Sequence, residues 1–132
     1  GAAQRMYPGA NFTEGEMEYQ DGGWYYELGG VIDGREVEAM FQADGTPYQQ
    51  EIQVAAESVP AVVRSAVQNS FAGATVTAWE EIRSGTGALL EYHVKLTKGD
   101  RKYKLLLSTS GGILSLFREV PAEIEVPVNA MQ

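Results

Sequence analysis

The sequence contains a single histidine, His93, and no cysteine, so few residues are available for catalysis or metal binding. The absence of cysteine excludes disulfides, thiolate metal ligands and cysteine nucleophiles. Metal sites and general acid–base catalysis both need partner side chains, and the sequence places none with His93 in a motif. No Gly-x-Ser-x-Gly stretch provides a serine nucleophile. We therefore predict a solvated surface histidine, with no catalytic residue, no metal and no cofactor.

Pairs of acidic residues offer no better catalytic site. Glu80 and Glu81 are adjacent in a strand-like run, so their side chains are expected on opposite faces of a sheet and cannot converge. Glu36 and Glu38 share a face, but an exposed strand accounts for them without glycosidase chemistry. The Asp-Gly pair at 44–45 lacks the alternating acidic ligands of a calcium loop and is typical of a turn. An enzyme is therefore the least favoured class of function.

The aromatic residues around position 24 give a stronger indication, which is of binding. Trp24 and Tyr25 lie close to two further tyrosines, and both residue types are enriched where protein partners make their strongest contacts. We predict a candidate protein-contact surface made of Trp24, Tyr25, Glu27, Glu36, Glu38 and Met40. A secondary candidate surface, which is mainly basic, comprises His93, Lys95, Lys102 and Lys104. The alternatives are simple packing for Trp24 and, for the lysines, cross-strand Glu–Lys pairing within the second half of the chain, such as Glu91 with Lys102 or Lys104.

The charge is unevenly distributed along the chain. The formal net charge is −8, and residues 1–56 contain two basic against ten acidic residues, whereas residues 57–132 contain eight of each. An acidic half disfavours nucleic acid and anionic membrane surfaces as partners. No apolar run approaches the roughly 20 residues that span a bilayer. The acidic half favours either a basic partner or simply solubility.

The chain contains two copies of one pattern. The segment 7–10, Tyr-Pro-Gly-Ala, recurs as 71–74, Phe-Ala-Gly-Ala, at an offset of 64 residues. The segment 26–28, Tyr-Glu-Leu, matches 92–94, Tyr-His-Val, at an offset of 66. Two extra residues are therefore expected in the second copy, in the loop at 83–87, where changes of length are tolerated. We divide the chain into a first repeat, 1–56, and a second repeat with the C-terminal tail, 57–132.

The second repeat reads as one helix followed by four strands. Ser58 is suited to cap the helix, Pro60 is acceptable in its first turn, and Gly73 is suited to end it. Between them, apolar residues recur at helical spacing. Strand-like runs follow at about 75–82, 89–97, 101–108 and 113–120, and the glycine-containing breaks between them indicate hairpins.

Alternation along the strands predicts one covered and one open face of the sheet. The residues expected to face the helix are Tyr26, Leu28, Val37, Ala39 and Phe41 in the first repeat and Leu90, Tyr92, Val94, Leu96, Tyr103, Leu105 and Leu107 in the second. The predicted fold class is α+β: tandem α-β-β-β-β repeats that form an antiparallel meander sheet of up to eight strands, with helix packed on one face.

The first helix is expected to be truncated, because only residues 2–6 precede the motif at 7–10. The missing cover is expected to come from a longer natural N-terminus, from a second molecule or from the tail 121–132. The chain also begins at Gly1 without an initiator methionine, so we expect that an export signal was removed.

In both repeats a helix ends in Tyr-Pro-Gly-Ala or Phe-Ala-Gly-Ala, and a later strand carries Tyr-Tyr-Glu-Leu or Glu-Tyr-His-Val. In the first repeat, the segment 34–45, Gly-Arg-Glu-Val-Glu-Ala-Met-Phe-Gln-Ala-Asp-Gly, follows. Over about residues 7–120 this pattern resembles the PepSY-like, β-lactamase-inhibitor-like family of exported bacterial proteins. The resemblance implies up to eight strands with helices on one side, a periplasmic or surface location and no catalytic residues. Proteins of the related inhibitor fold bind a target enzyme across the open concave sheet face.

We therefore expect a non-enzymatic, periplasmic, secreted or surface module that binds another protein, such as an exported enzyme that it inhibits, through the open face and the hairpin loops. Two alternatives stay open. The chain could self-associate as a structural protein, for example as a homodimer, through an uncovered apolar face or a strand edge. It could instead bind a small ligand or peptide between sheet and helices. Neither nucleic acid nor a membrane is an expected partner.

Overall fold

Eight antiparallel strands form one sheet in which each strand pairs with its neighbours in sequence. The computed structural model describes residues 1–120. The strands are β1 (Asn11–Gln20), β2 (Gly23–Ile32), β3 (Arg35–Gln42), β4 (Pro47–Val54), β5 (Thr75–Ser84), β6 (Leu89–Lys98), β7 (Arg101–Leu107) and β8 (Ile113–Arg118). Helix α1 (Ala2–Met6) precedes the first four strands, and helix α2 (Ala61–Ser70) precedes the last four. The predicted α+β meander with a truncated first helix is confirmed.

The pairing of β4 with β5 joins the two groups of four strands into one sheet. The residue pairs along this junction run from Gln49 opposite Ser84 to Val54 opposite Trp79. Ala39 lies opposite Gln50, and Gln50 lies opposite Arg83, so these three side chains share one face of the sheet. Trp79 is on that same face. Since α1 packs on Ala39 and α2 on Trp79, both helices lie on one side. We call this side the covered face and the other the open face.

One hairpin differs in length between the two groups. Only residues 21–22 connect β1 to β2, whereas residues 85–88 connect β5 to β6. This difference of two residues explains why the repeat offset changes from 64 to 66, in the loop where the sequence predicts it. Within the longer loop, a Cβ atom on Gly85 would lie 2.1 Å from the carbonyl oxygen of Pro47, so the close approach to β4 requires glycine.

The larger core lies between α2 and the second group of strands. Val59, Val63 and Val67 recur every four residues, so they face one way and are buried. They pack against the buried side chains of Trp79, Tyr92, Val94, Leu96, Leu105 and Leu107. The residues predicted to face the helix therefore do so on β6 and β7, with one exception. Leu90 is 51% exposed, and Leu89 packs against the core instead, next to an irregularity in the β5–β6 register.

The start of α2 differs from the sequence prediction. Ser58 lies in a 3₁₀ turn, Ala56–Ser58, and the helix begins at Ala61 after Pro60, without a side-chain cap. The side chain of Val59 is buried, and the ring of Pro60 fixes its own backbone. The helix therefore begins after Pro60 rather than directly after a Ser58 cap.

The short helix α1 covers only part of the first group of strands. Ala3 packs against Ala39 and Phe41, and all three are buried. Tyr26, predicted to be buried, is 41% exposed, because the cluster around α1 reaches β1 and β2 only at Phe12 and Leu28 and stops short of Tyr26. The uncovered side chains form what we call the aromatic patch, which comprises Met17, Tyr19, Trp24 and Tyr26. The expected cover from the tail 121–132 lies outside the described residues.

Two adjacent valines of α2 test the assignment of the covered face. Val63 is fully buried and Val62 is 54% exposed, so Val63→Ala should lower the free energy of unfolding by about 2 kcal/mol, whereas Val62→Ala should change it by less than about 0.5 kcal/mol. Both changes alter helix propensity equally, so Val62→Ala is a matched control. Urea denaturation monitored by circular dichroism measures the difference, and equal losses would contradict the packing described for α2.

Candidate functional site

The open face carries charge of opposite sign at its two ends. The strand register places six glutamates of β1, β2 and β3 on the open face, at one end of the sheet. We call these residues the acidic band: Glu14, Glu16, Glu18, Glu27, Glu36 and Glu38. A bulge between Phe12 and Glu14 turns Phe12 to the covered face and leaves Glu14 on the open one, where its side chain lies beside Gly29. No base lies among them on the open face of these three strands.

Glu27 is at the centre of the acidic band. Burial, together with the negative charges of Glu38, Glu18 and Glu16, raises the pKa of this carboxyl to about 7. Glu27 and Glu38 come from neighbouring strands, β2 and β3, and both line a small cleft of about 110 Å³ with Met40 and Gln49. The acidic band is therefore a region of strong negative potential in which the central carboxyl holds its proton near neutral pH.

The other end of the open face is basic. Lys95 on β6 lies directly opposite Lys104 on β7, and Lys102 follows opposite Thr97. These lysines and Phe117 of β8 line a groove of about 630 Å³. The example of Glu91 with Lys102 or Lys104 is wrong, because β7 places Lys104 opposite Lys95 and Lys102 opposite Thr97. A Glu–Lys pair between neighbouring strands of the second repeat does form, however, since Glu80 Oε2 of β5 lies 3.8 Å from the ammonium of Lys95. The two facing lysines repel each other across the strands, and Glu80 offsets the charge of Lys95 in part.

Between the two charged ends lie three side chains that the sequence did not bring together. Glu51 of β4, Glu80 of β5 and His93 of β6 lie on adjacent strands, and one ligand atom from each lies within 4.8 Å of the other two. Glu80 and His93 face each other across the strands and are only 6% and 9% exposed. Ile82, which lies opposite Glu51 on the same face, is also buried. We call these three residues the central triad.

The triad brings two carboxyl groups together under partial burial. Burial raises the pKa of Glu51, and the adjacent Glu80 carboxyl raises it further, while the positive charge of Lys104 acts in the opposite direction. The ammonium of Lys95 lies 3.8 Å from Glu80 Oε2, and the imidazole Nε2 of His93 lies 3.3 Å from Glu91 Oε1. The arrangement therefore holds an excess of negative charge that its own cations offset only in part.

The structure brings five of the six residues of the predicted contact surface together. Tyr25, Glu27, Glu36, Glu38 and Met40 point to the open face, at its acidic end. Trp24 does not join them: it points to the covered side and packs edge-on against Tyr19, with ring centroids 5.3 Å apart. Instead, Tyr48 of β4 contributes the aromatic neighbour, with its ring centroid 4.8 Å from that of Tyr25.

The secondary surface also forms, but His93 differs from its prediction. His93, Lys95, Lys102 and Lys104 share the open face, yet His93 is buried rather than solvated, and it has the carboxylate partners that the sequence reasoning said it lacked. Glu80 and Glu81 do point to opposite faces, as expected. Glu80 converges instead with Glu51, from the neighbouring strand. Glu51 and Glu80 are 29 positions apart in the sequence. Only the pairing register of β4 with β5 could have indicated that they converge.

Comparisons with solved structures identify the fold. The chain is similar to a BLIP-like protein from Bacteroides fragilis NCTC 9343, with 24% identity and a TM-score of 0.64 over 96% of this chain and 89% of that one. It is similar to a DUF2874 family protein from Bacteroides uniformis ATCC 8492, with 18% identity and a TM-score of 0.69 over 89% and 84% of the two chains. A protein from Bacteroides eggerthii DSM 20697 that is described as periplasmic has 21% identity and a TM-score of 0.70, with the same coverage.

These likenesses establish a BLIP-like fold. No protein-family model and no curated protein sequence matches the chain, so the PepSY-like part of the resemblance is not confirmed. Within residues 1–120, neither helix has the length or apolar character to cross a bilayer.

The raised pKa of Glu27 predicts a pH-dependent effect of Glu27→Gln. A carboxyl whose pKa is higher in the folded chain favours folding while it is protonated, so the wild type should lose stability as the pH rises from about 4.5, the unfolded value, to about 7. Glutamine stays neutral. The variant should therefore gain melting temperature over the wild type at about pH 8 and very little at about pH 4.

Thermal unfolding at both pH values measures this difference. Glu57→Gln, which removes the same charge from an exposed turn outside the acidic band, is the matched control. A gain for Glu27→Gln that is the same at both pH values, or that Glu57→Gln reproduces, would contradict the crowding of charge around Glu27.

Proposed function

We propose that this protein is a non-enzymatic binding module of the periplasm or cell surface that takes a protein partner on the open face of its sheet. The observation that carries the proposal is the electrostatic repulsion between like-charged side chains on that face. Glu38 lies opposite Glu51, and the acidic band adds further like charges. Lys95 lies opposite Lys104, and Glu80, 3.8 Å from Lys95, offsets this repulsion only in part. Like charges directly across strands destabilise a sheet. Their retention is explained if a partner supplies the opposite charges.

The two ends of the face suit one partner with a complementary pattern. The acidic band would receive basic side chains, and the groove between Lys95, Lys102 and Phe117 would receive acidic ones. Opposed charges of this kind speed association and orient the partner more than they add affinity. The half-buried side chains of Tyr25, Tyr48 and Met40 provide the apolar contacts that carry most binding energy in such interfaces.

An extended partner fits the open face better than a small substrate does. The cleft beside Glu27 and Glu51 measures only about 110 Å³, below the roughly 300–1,000 Å³ that small-molecule sites occupy. The groove at the basic end is large enough at about 630 Å³, but it opens onto the same face. The periplasmic location is supported by the description of the Bacteroides eggerthii protein. Inhibition of an exported enzyme is the form of binding that the BLIP-like fold suggests.

Capture from an envelope extract of the source organism tests the proposed surface. The double variant Tyr25→Ala/Glu38→Lys removes an aromatic contact and reverses a charge of the acidic band, so affinity for a captured partner should fall by about 30-fold or more. Val62→Ala, on the outer side of α2, is the control and should retain the partner. Mass spectrometry identifies the partner, and titration of the purified protein gives the affinities. Identical partner lists and affinities for all three proteins would refute this surface.

Self-association is a second candidate, favoured by the aromatic patch. Trp24 and Tyr19 are 52% and 61% exposed on the covered side, beside the short α1. Large exposed apolar patches mark interaction sites. If a second copy covers this patch, the molar mass from light scattering should rise with concentration in the wild type and not in Trp24→Ser. A constant monomer mass would remove this candidate.

A further inference from the structure

The central triad has the composition of a metal site. Glu51, Glu80 and His93 come from three adjacent strands, and their ligand atoms lie within 4.8 Å of one another. Neighbouring strands in a paired sheet hold side chains at fixed separations, so the three groups converge without help from a loop. Two carboxylates and one imidazole are the ligand types found in three-ligand zinc and related sites that keep a position open.

A second observation points to a ligand that the protein itself does not supply. Glu80 Oε1 is fully buried and has no hydrogen-bond partner within residues 1–120, in a side chain that is only 8% exposed. His93 Nδ1 is also buried and without a partner among these residues. Buried polar atoms are nearly always satisfied, and each exception costs about 1–3 kcal/mol. Two such atoms in adjacent members of one cluster therefore indicate a shared missing partner.

We propose that Glu51, Glu80 and His93 bind one divalent transition-metal ion of the Zn²⁺ class. Nitrogen in the ligand set disfavours Mg²⁺ and Ca²⁺, which prefer oxygen alone, and favours Zn²⁺, Co²⁺ and related ions. A dipositive ion would offset the two crowded carboxylates and provide the partner that the buried atoms of Glu80 and His93 lack. The inference does not rest on the proposed function, because the three ligands all belong to this chain.

The three ligand atoms must move slightly closer together to coordinate one ion. Bonds of about 2.0–2.2 Å from Zn²⁺ to nitrogen and oxygen place tetrahedral ligand atoms about 3.3 Å apart. The three donor atoms must therefore approach each other by at most about 1.5 Å. Rotation of the half-buried Glu51 side chain brings its own carboxylate closer, and small rotations of Glu80 and His93 must close the distance between those two. Glu51 also forms the accessible side of the triad, so the ion would enter from the open face and keep its fourth position there.

Two lysines act against the ion. The ammonium of Lys95 lies 3.8 Å from Glu80 Oε2, and Lys104 lies directly opposite Lys95 on the same face. Lys95 is half exposed, so it can turn to solvent when an ion displaces it from Glu80. The structure thus suggests a site whose affinity is limited by competition with Lys95. The competing explanation is a proton shared between Glu51 and Glu80, with no metal bound.

Calorimetric titration of Zn²⁺ into tag-free, chelator-treated full-length protein separates the two explanations. The wild type should bind one ion per chain, and equal concentrations of Mg²⁺ or Ca²⁺ should not compete. Glu80→Gln and His93→Gln should each weaken binding by at least about tenfold, since loss of a ligand exceeds the usual effect of a supporting residue. Lys95→Met should strengthen binding several-fold. Glu57→Gln, which removes a carboxylate from an exposed turn outside the triad and the acidic band, should leave it unchanged.

The single histidine makes the spectroscopic readout unambiguous. On addition of Zn²⁺, the nitrogen resonances of the His93 imidazole should move in the wild type, and Co²⁺ should give the visible absorption of a low-coordinate site. Absence of binding, unchanged His93 resonances, or equal affinities for the wild type and Glu80→Gln would each overturn the proposal. The opposite directions expected for Lys95→Met and Glu80→Gln keep it falsifiable even if one variant folds poorly.

Discussion

The pairing of β4 with β5 is the constraint on which the rest of the structure depends. It makes one sheet of eight strands from two groups of four, and it places both helices on the same side. It also fixes Glu51 diagonally across from Glu80 and so creates the central triad. A shift of one residue in this register would turn the second group of strands over relative to the first, which would place α1 and α2 on opposite sides of the sheet and Glu80 on the face opposite to Glu51. The apolar residues of the covered face therefore determine where the charged residues of the open face meet.

The two faces of the sheet follow different physical rules. The covered face is held by apolar burial, with Val63, Val94 and Leu105 fully excluded from solvent. The open face is charged, and its charges are segregated by sign at the two ends, with the Lys95–Glu80 contact between them. Burying a carboxylate is costly, and the half-exposed Lys95 compensates it only in part, so Glu80 is the least expected residue on that face. Its position shows that the open face is not simply a solvated surface but contains a partly dehydrated centre.

Sequence patterns predicted the scaffold well because the relevant signals are local. Alternation along a strand assigned Tyr92 and Val94 to the core, and glycine turns located the hairpins. The fate of Tyr26 was harder to predict, because it depends on how far α1 reaches over the sheet rather than on Tyr26 itself. The central triad could not be predicted, since it depends on the register between strands that are separated by α2. Face assignment alone could group Glu27 with Glu38, but it could not show that His93 is buried.

The meander order also determines how the chain reaches its final shape. Six of the seven neighbouring strand pairs are closed by connections of two to five residues, whereas residues 55–74, which include α2, separate β4 from β5. Closing a longer loop costs more chain entropy, and hairpins form much faster than distant pairings. Each half of the sheet can thus assemble from its own hairpins before the halves meet. We therefore expect the seam between them to form last in folding, so that the triad, which straddles it, is assembled only when the two halves pair.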